Sequence, residues 1–325
     1  MVSSATVASG IRPQGRMLSY LSRLKTGDEI ARLIALTAAS AIVAITLLLV
    51  WNLWTVSAPT RAKFGWSFLL ARIWDTNTDQ YGALPYIYGT TLTSLLALVI
   101  AIPLGVGAAI FLAELAPPRI SDAFTFLIEL LAAVPSVVFG LIGIFMLVPI
   151  LESSVVPPLK KSLSFLPFFT GPFYGVSIFT ASIVLSLMIV PFIISVSREV
   201  LLAVPRDLRE AALAVGATKW ESTWQVVVPF ARSGIFGSIF LALARALGET
   251  MAVTMVIGNT PNIKATLLAP GYSIAAKIAN EFGEARGMVL SALVELGLVL
   301  FALTIVINGA ARLLILMTTA KGTQQ

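Results

Sequence analysis

The chain has 325 residues, of which 58% are hydrophobic and 12% charged, and its mean hydropathy is +0.93. Soluble domains carry about 25% charged residues, so this composition excludes a large water-soluble core and describes a chain that crosses a membrane several times. A net charge of +6 with no basic run interleaved with aromatics argues against nucleic-acid binding, and the lack of histidine and cysteine excludes disulfides, thiol chemistry, a Ser-His-Asp triad and the usual zinc or haem sites.

Residues 1–29 form a polar tail with Arg12, Arg16, Arg23 and Lys25 and no helical or strand period; they are expected to be largely disordered and cytoplasmic. Apolar runs then mark six crossings, at 33–54, 90–112, 124–150, 178–196, 235–257 and 288–311, each close to the ~20 residues that span a bilayer. The first is too long for a secretory signal and reads as a retained helix. Between the first two, Arg61, Lys63, Arg72, Asp75 and Asp79 mingle with Trp66, Trp74 and Tyr81, as at a membrane interface. Pro103, Gly105 and Gly107 allow the second helix to bend and pack closely; the third contains Glu129, Pro135 and Gly140, the fourth Pro191.

Residues 152–177 and 258–287 are expected as external loops. The expected fold is all-α and polytopic: a tail (1–29), a first helix with an external loop (30–88), a core of five further helices (89–317) with a polar loop at 203–230, and a short tail (318–325). With both termini inside, thirteen basic residues face the cytoplasm and eight face out, which leaves Arg245 within a span. The positive-inside rule favours that orientation.

The polar loop reads RDLREAALAVGATKWESTWQVVVP from Arg206 to Pro229. Its core is Glu210-Ala211-Ala212, three residues, Gly216, nine residues, then Val226-x-Val228-Pro229. Small alanines let a helix approach a partner closely, Gly216 can end a short helix in left-handed geometry, and Pro229 permits a helix to begin. This pattern resembles the EAA loop of ABC importer permeases. The resemblance implies a type I importer permease of MetI-like architecture and a loop that docks on a separate ATPase. It also puts the loop on the ATP side, in agreement with the charge count.

One span downstream, Arg245 lies ten residues past Ile235, about 15 Å into a core about 30 Å thick. A midplane arginine costs roughly 2.5–3.5 kcal/mol. Glu249, four residues on, would share its helical face, and Gly248 between them leaves room for a neighbour or ligand. The two form either a structural ion pair or an anion site in which Glu249 orients or releases a solute held by Arg245. Thr250 and Thr254 can donate to an oxyanion or bond back to the helix carbonyls. Glu129 and Glu295, the other acids within spans, can partner Arg245 or meet a second subunit. Thr90, Thr91 and Ser136 read as packing.

The segments RALGETMAV (245–253), LAAVPSVVFG (131–140), PFIISVSR (191–198) and YGALP (81–85) resemble the PstC-type phosphate-import permeases. That resemblance covers about residue 81 to the end. It implies phosphate as the solute, a homologous PstA-type permease, an ATPase dimer of PstB type and an external PstS-type binding protein. The chain has no GxxxxGK[ST] of its own, so ATP would be bound by a partner and no cofactor by this chain. Sulfate or molybdate would suit the same charges. A proton relay through Glu129, Glu249 and Glu295 would make an ion-coupled carrier instead, leaving the EAA-like loop without a purpose. A phosphate-signalling scaffold is a further, added role.

Overall fold

The computed structural model describes residues 28–163 and 165–320, the last seven by backbone alone, so the expected N-terminal tail lies outside the described residues save Asp28 and Glu29 at the first helix's start. It divides into two compact units, residues 1–55 and 56–325. The first contributes α1 (Asp28–Val56), a helix with no charged side chain beyond Arg32.

In the second unit, two short helices, α2 (Ala58–Phe64) and α3 (Ser67–Leu70), lead to α4 (Leu84–Leu115). Then come α5 (Pro118–Ala132), α6 (Ser136–Ser162), α7 (Ile178–Leu202), α8 (Arg206–Ala214), α9 (Lys219–Leu247), α10 (Met251–Val256), α11 (Ile274–Glu281) and α12 (Gly287–Ala320). Among the described residues six helices are long and apolar enough to cross a membrane: α1, α4, α6, α7, α9 and α12. The described residues form an all-α, multi-pass architecture.

Two spans begin elsewhere than the apolar runs imply. The third starts at Ser136, not 124, because Val134 precedes Pro135 and is biased away from helix. The stretch before it is the separate amphipathic α5, where Glu129 is exposed rather than buried. The fifth runs back through Pro229 to Lys219 instead of starting near 235. Here a proline is absorbed, and the same device recurs. Each of four wide π turns, 111–115, 143–147, 151–155 and 223–227, ends two residues before a proline: Pro117, Pro149, Pro157 and Pro229. A proline has no N–H for the carbonyl four residues back and clashes with it; i to i+5 bonding widens the turn and relieves the clash. Two helices, α6 at Pro149 and Pro157 and α9 at Pro229, thus continue where apolar runs and prolines signal an end, whereas α4 stops before Pro117.

The core centres on α4 and α7. Gly105 of α4 lies against Ile193 of α7, where a Cβ would come 2.7 Å from Ile193 Cγ2, so only glycine allows this approach. Of residues 258–287, expected as an external loop, 267–277 are largely buried against the bundle and 274–281 form α11. Leu267, Leu268, Tyr272 and Ile274 are buried, and the amides of Ile178 and Phe179 donate to Ala269 and Leu267 carbonyls at 3.2 and 2.9 Å. Near the start of α12, Glu295 meets Arg61 of α2 at 3.1 Å, beside the buried Thr60–Ser291 hydroxyl pair at 2.8 Å. Glu295 therefore pairs with Arg61 at the seam between α2 and α12, and not with Arg245.

Candidate functional site: a docking helix and a mid-depth arginine

The polar loop folds as sequence chemistry dictates. Pro205 ends the preceding turn and α8 begins at Arg206, with Asp207 in its first turn. The helix closes in a Schellman motif: Ala217 N–H donates to Ala212 O at 3.1 Å and Gly216 N–H to Leu213 O at 3.0 Å, with Gly216 at φ +92°. Thr218 and Glu221 then form a reciprocal capping box that starts α9. Glu210, Ala211 and Gly216 are exposed and Ala212 half-buried, and α8 buries none of its side chains. Leu213, Val215 and Trp220 are exposed beside them.

The rear of the same helix is tied down. Arg209 donates through Nη2 to Glu114 Oε1 at 2.8 Å and through Nε to both Glu114 oxygens at 3.2 Å. Nη2 also donates to the Leu201 carbonyl at 2.7 Å, and Nη1 to that of Val204.

The second cluster lies deeper. Ser197 of α7 and Ser238 of α9 share a hydrogen bond at 2.7 Å, which sets the antiparallel register of these helices. Seven residues beyond Ser238, Arg245 comes level with residue 190, the middle of α7. Its guanidinium carbon lies 5.8 Å from the Phe192 ring centre. The side chain is exposed, and among the described residues it has no carboxylate partner.

Helix α9 ends at Leu247, so the four-residue spacing of Arg245 and Glu249 does not put them on one face of a continuous helix. Glu249 instead turns to the next helix: Oε1 accepts from the Ala252 amide at 3.2 Å, at the N-terminus of α10. Thr254 Oγ1 donates to the Thr250 carbonyl at 2.6 Å and Thr250 Oγ1 to that of Gly248 at 3.3 Å.

Glu249 borders a cavity of about 10 Å³, room for about one water. Thr90, Thr93 and Ser94 of α4 and Ser273 before α11 line it too. Thr90 is committed, donating to the Tyr86 carbonyl at 2.8 Å and accepting from the Ile274 amide at 2.9 Å. Thr93 is buried and its hydroxyl has no protein partner. Sequence reading took Thr90 as packing and missed Thr93, Ser94 and Ser273, as single Ser and Thr residues carry no signal of their own. Arg209 and Glu114 had one: a charge on the docking helix and an acid at the end of an apolar span.

Residues 101–316 match the family described as binding-protein-dependent transport system inner membrane component. The phosphate transport system permease protein PstC of Mesorhizobium japonicum is 44% identical over 294 residues, 88% of this chain and 90% of that protein. Its counterpart from Haemophilus influenzae is 48% identical over 257 residues, 78% and 82% of the two chains. PstC 2 of Mycobacterium tuberculosis is 38% identical over 321 residues, 96% of each. With six membrane-length helices among the described residues, an exposed polar helix at α8 and matches along nearly its whole length, the chain belongs to the binding-protein-dependent transport system inner-membrane components, on their PstC branch.

Proposed function

We propose that this chain is one permease subunit of an ATP-driven importer that carries inorganic phosphate across the cytoplasmic membrane by alternating access. Relatives named as phosphate transport permeases support the solute. The observation that carries the reading is Arg245: a mid-depth arginine, exposed, with no carboxylate beside it. Facing hydrocarbon it would cost roughly 2.5–3.5 kcal/mol. Facing a seam with a second permease, it offers a planar fork of donors matched to phosphate oxygens. A homologous PstA-type permease is the partner this requires.

With the termini inside, α8 meets a PstB-type ATPase dimer and the opposite side receives phosphate from a PstS-type binding protein. This chain binds no cofactor; ATP is bound and hydrolysed by the partner. Closure of the ATPase moves α8 and with it the helices around Arg245, opening the site outward; hydrolysis returns it inward. Glu249, close in sequence and held by an amide and a hydroxyl-lined cavity, competes for Arg245 and releases the anion. Thr250 and Thr254 donate to carbonyls, so they meet phosphate as acceptors of its P–OH groups.

The test is labelled phosphate uptake by the complete complex in proteoliposomes. Arg245→Gln in an assembled complex is expected to abolish it. Wild-type uptake by that variant would sink the anion-site role, competition by sulfate or molybdate would change the solute, and uptake that survives without ATP but follows a proton gradient would change the class.

A further inference from the structure

The contact between Arg209 and Glu114 does more than hold the loop. We infer that it is the strut through which movement of α8 reaches α4 and, along α4, the hydroxyl wall around Glu249; this rests on the importer reading above. Arg209 and Glu114 are positioning residues and touch no substrate.

The geometry is specific. The guanidinium uses its fork in two directions at once: toward the Glu114 carboxylate, at 2.8 and 3.2 Å, and toward the carbonyls of Leu201 and Val204 at the end of α7. The side chains of Arg209 and Glu114 are only 20% and 10% exposed. Such planar, charge-assisted bonds resist both sliding and rotation. The neighbouring apolar contacts, Leu112, Leu201, Val204 and Val227, are not directional and permit sliding. Beside the pair, Phe111 and Leu115 of α4 and Trp220 and Trp224 of α9 line an apolar groove of about 420 Å³.

Glu114 lies in the π turn that closes α4, and Thr93 is twenty-one residues before it on the same helix. At 1.5 Å per residue that is about 31 Å, the thickness of the hydrocarbon core. One helix therefore links the docking loop to the cavity beside Glu249. Pro103 interrupts its hydrogen-bond ladder between the two ends and marks where it can bend. The chain-connected route, through α7 and α9, leads to Arg245; the strut adds a route to the other wall of the site. Both walls then move on one signal.

The experiment measures phosphate imported per ATP hydrolysed by the complete complex in proteoliposomes. Glu114→Gln is expected to assemble, to keep ATP hydrolysis within about twofold and to lower the ratio about tenfold. Arg209→Lys, which keeps the charge but not the fork, should lower it about threefold, and Glu114→Asp should restore at least half the parental ratio. An unchanged ratio in assembled Glu114→Gln overturns the strut. So does loss of uptake and hydrolysis in equal measure, or failure of both Glu114→Gln and Arg209→Lys to assemble, since the pair would then serve the fold alone. A parental complex with no ATP-driven phosphate uptake would overturn the importer reading instead.

Discussion

Arg209 and Arg245 are two arginines of one membrane chain held in opposite ways. Arg209 has its donors matched, by a carboxylate and two carbonyls, at the end of the bundle where the docking helix leaves it. Arg245 lies level with the middle of α7, over one aromatic ring, without a carboxylate. Cost alone would suggest the reverse, since the interior is where an ionised group most needs a partner. On the function proposed above, the difference separates a charge that fixes geometry within the chain from one that meets the transported anion.

The sharpest way to break that contrast is to remove the unpaired charge. Arg245→Gln should lower phosphate uptake at least about 30-fold, since losing one partner of a desolvated charge pair costs about 2 kcal/mol or more. The melting temperature should hardly move, because among the described residues no carboxylate is paired with Arg245. A large fall in melting temperature would show that Arg245 is bonded within the fold after all.

The next effect belongs to the docking end. At φ +92°, Gly216 has no atom within 4 Å of the Cβ it lacks, so a larger residue there is opposed by backbone strain and not by crowding. Gly216→Val should cost about 1–2 kcal/mol of local conformational energy and unwind the end of α8. Binding of the detergent-solubilised permease to its ATPase should weaken about tenfold, with phosphate binding at Arg245 untouched. Equal loss at both ends would mean that the two regions are not separable.

A smaller effect is expected from Thr93→Val, which keeps the shape of the side chain and removes a hydroxyl that no protein atom satisfies. Stability should hold or rise slightly, while uptake falls about fivefold, the equivalent of one hydrogen bond of about 1 kcal/mol. Unchanged uptake would remove Thr93 from the site and leave Glu249 to its amide partner.

How far these regions were legible in the sequence differs for physical reasons. In the polar loop the short helix around Glu210 and its left-handed end at Gly216 were legible, because local geometry is encoded locally, but the Thr218–Glu221 box that starts the next helix was not read. Arg245 and Glu249 were found by their cost in an apolar run, but their pairing was not: it assumed a helix that ends at Leu247. The limits of the third and fifth spans were misplaced because apolarity was read as the start of the third, through Pro135, and Pro229 as the place where a helix begins, although the helix runs through it from Lys219. The π turns before Pro149, Pro157 and Pro229 let helices pass such signals. The cavity and the Arg209–Glu114 contact join residues distant in sequence, and single-residue chemistry does not reveal such neighbours.

Thr254 tests the finest point of the contrast. It lies five residues past Glu249 on α10, in the segment whose hydroxyls the sequence offers to an oxyanion. Its Oγ1 donates to the Thr250 carbonyl at 2.6 Å, so its proton is engaged and only lone pairs remain for a solute. A back-bonded hydroxyl of this kind contributes little to helix stability and slightly loosens the helix that bears it. Thr254→Val should therefore leave the melting temperature unchanged or marginally raised and lower uptake less than twofold. Its effect should grow as the pH falls, where phosphate carries the extra P–OH proton that an acceptor can receive. Uptake measured between pH 6 and 8 for parent and variant gives the comparison: a pH-independent ratio removes Thr254 from the site, and a tenfold loss at every pH would make it a donor that rotates toward the anion, as Arg245 is proposed to be.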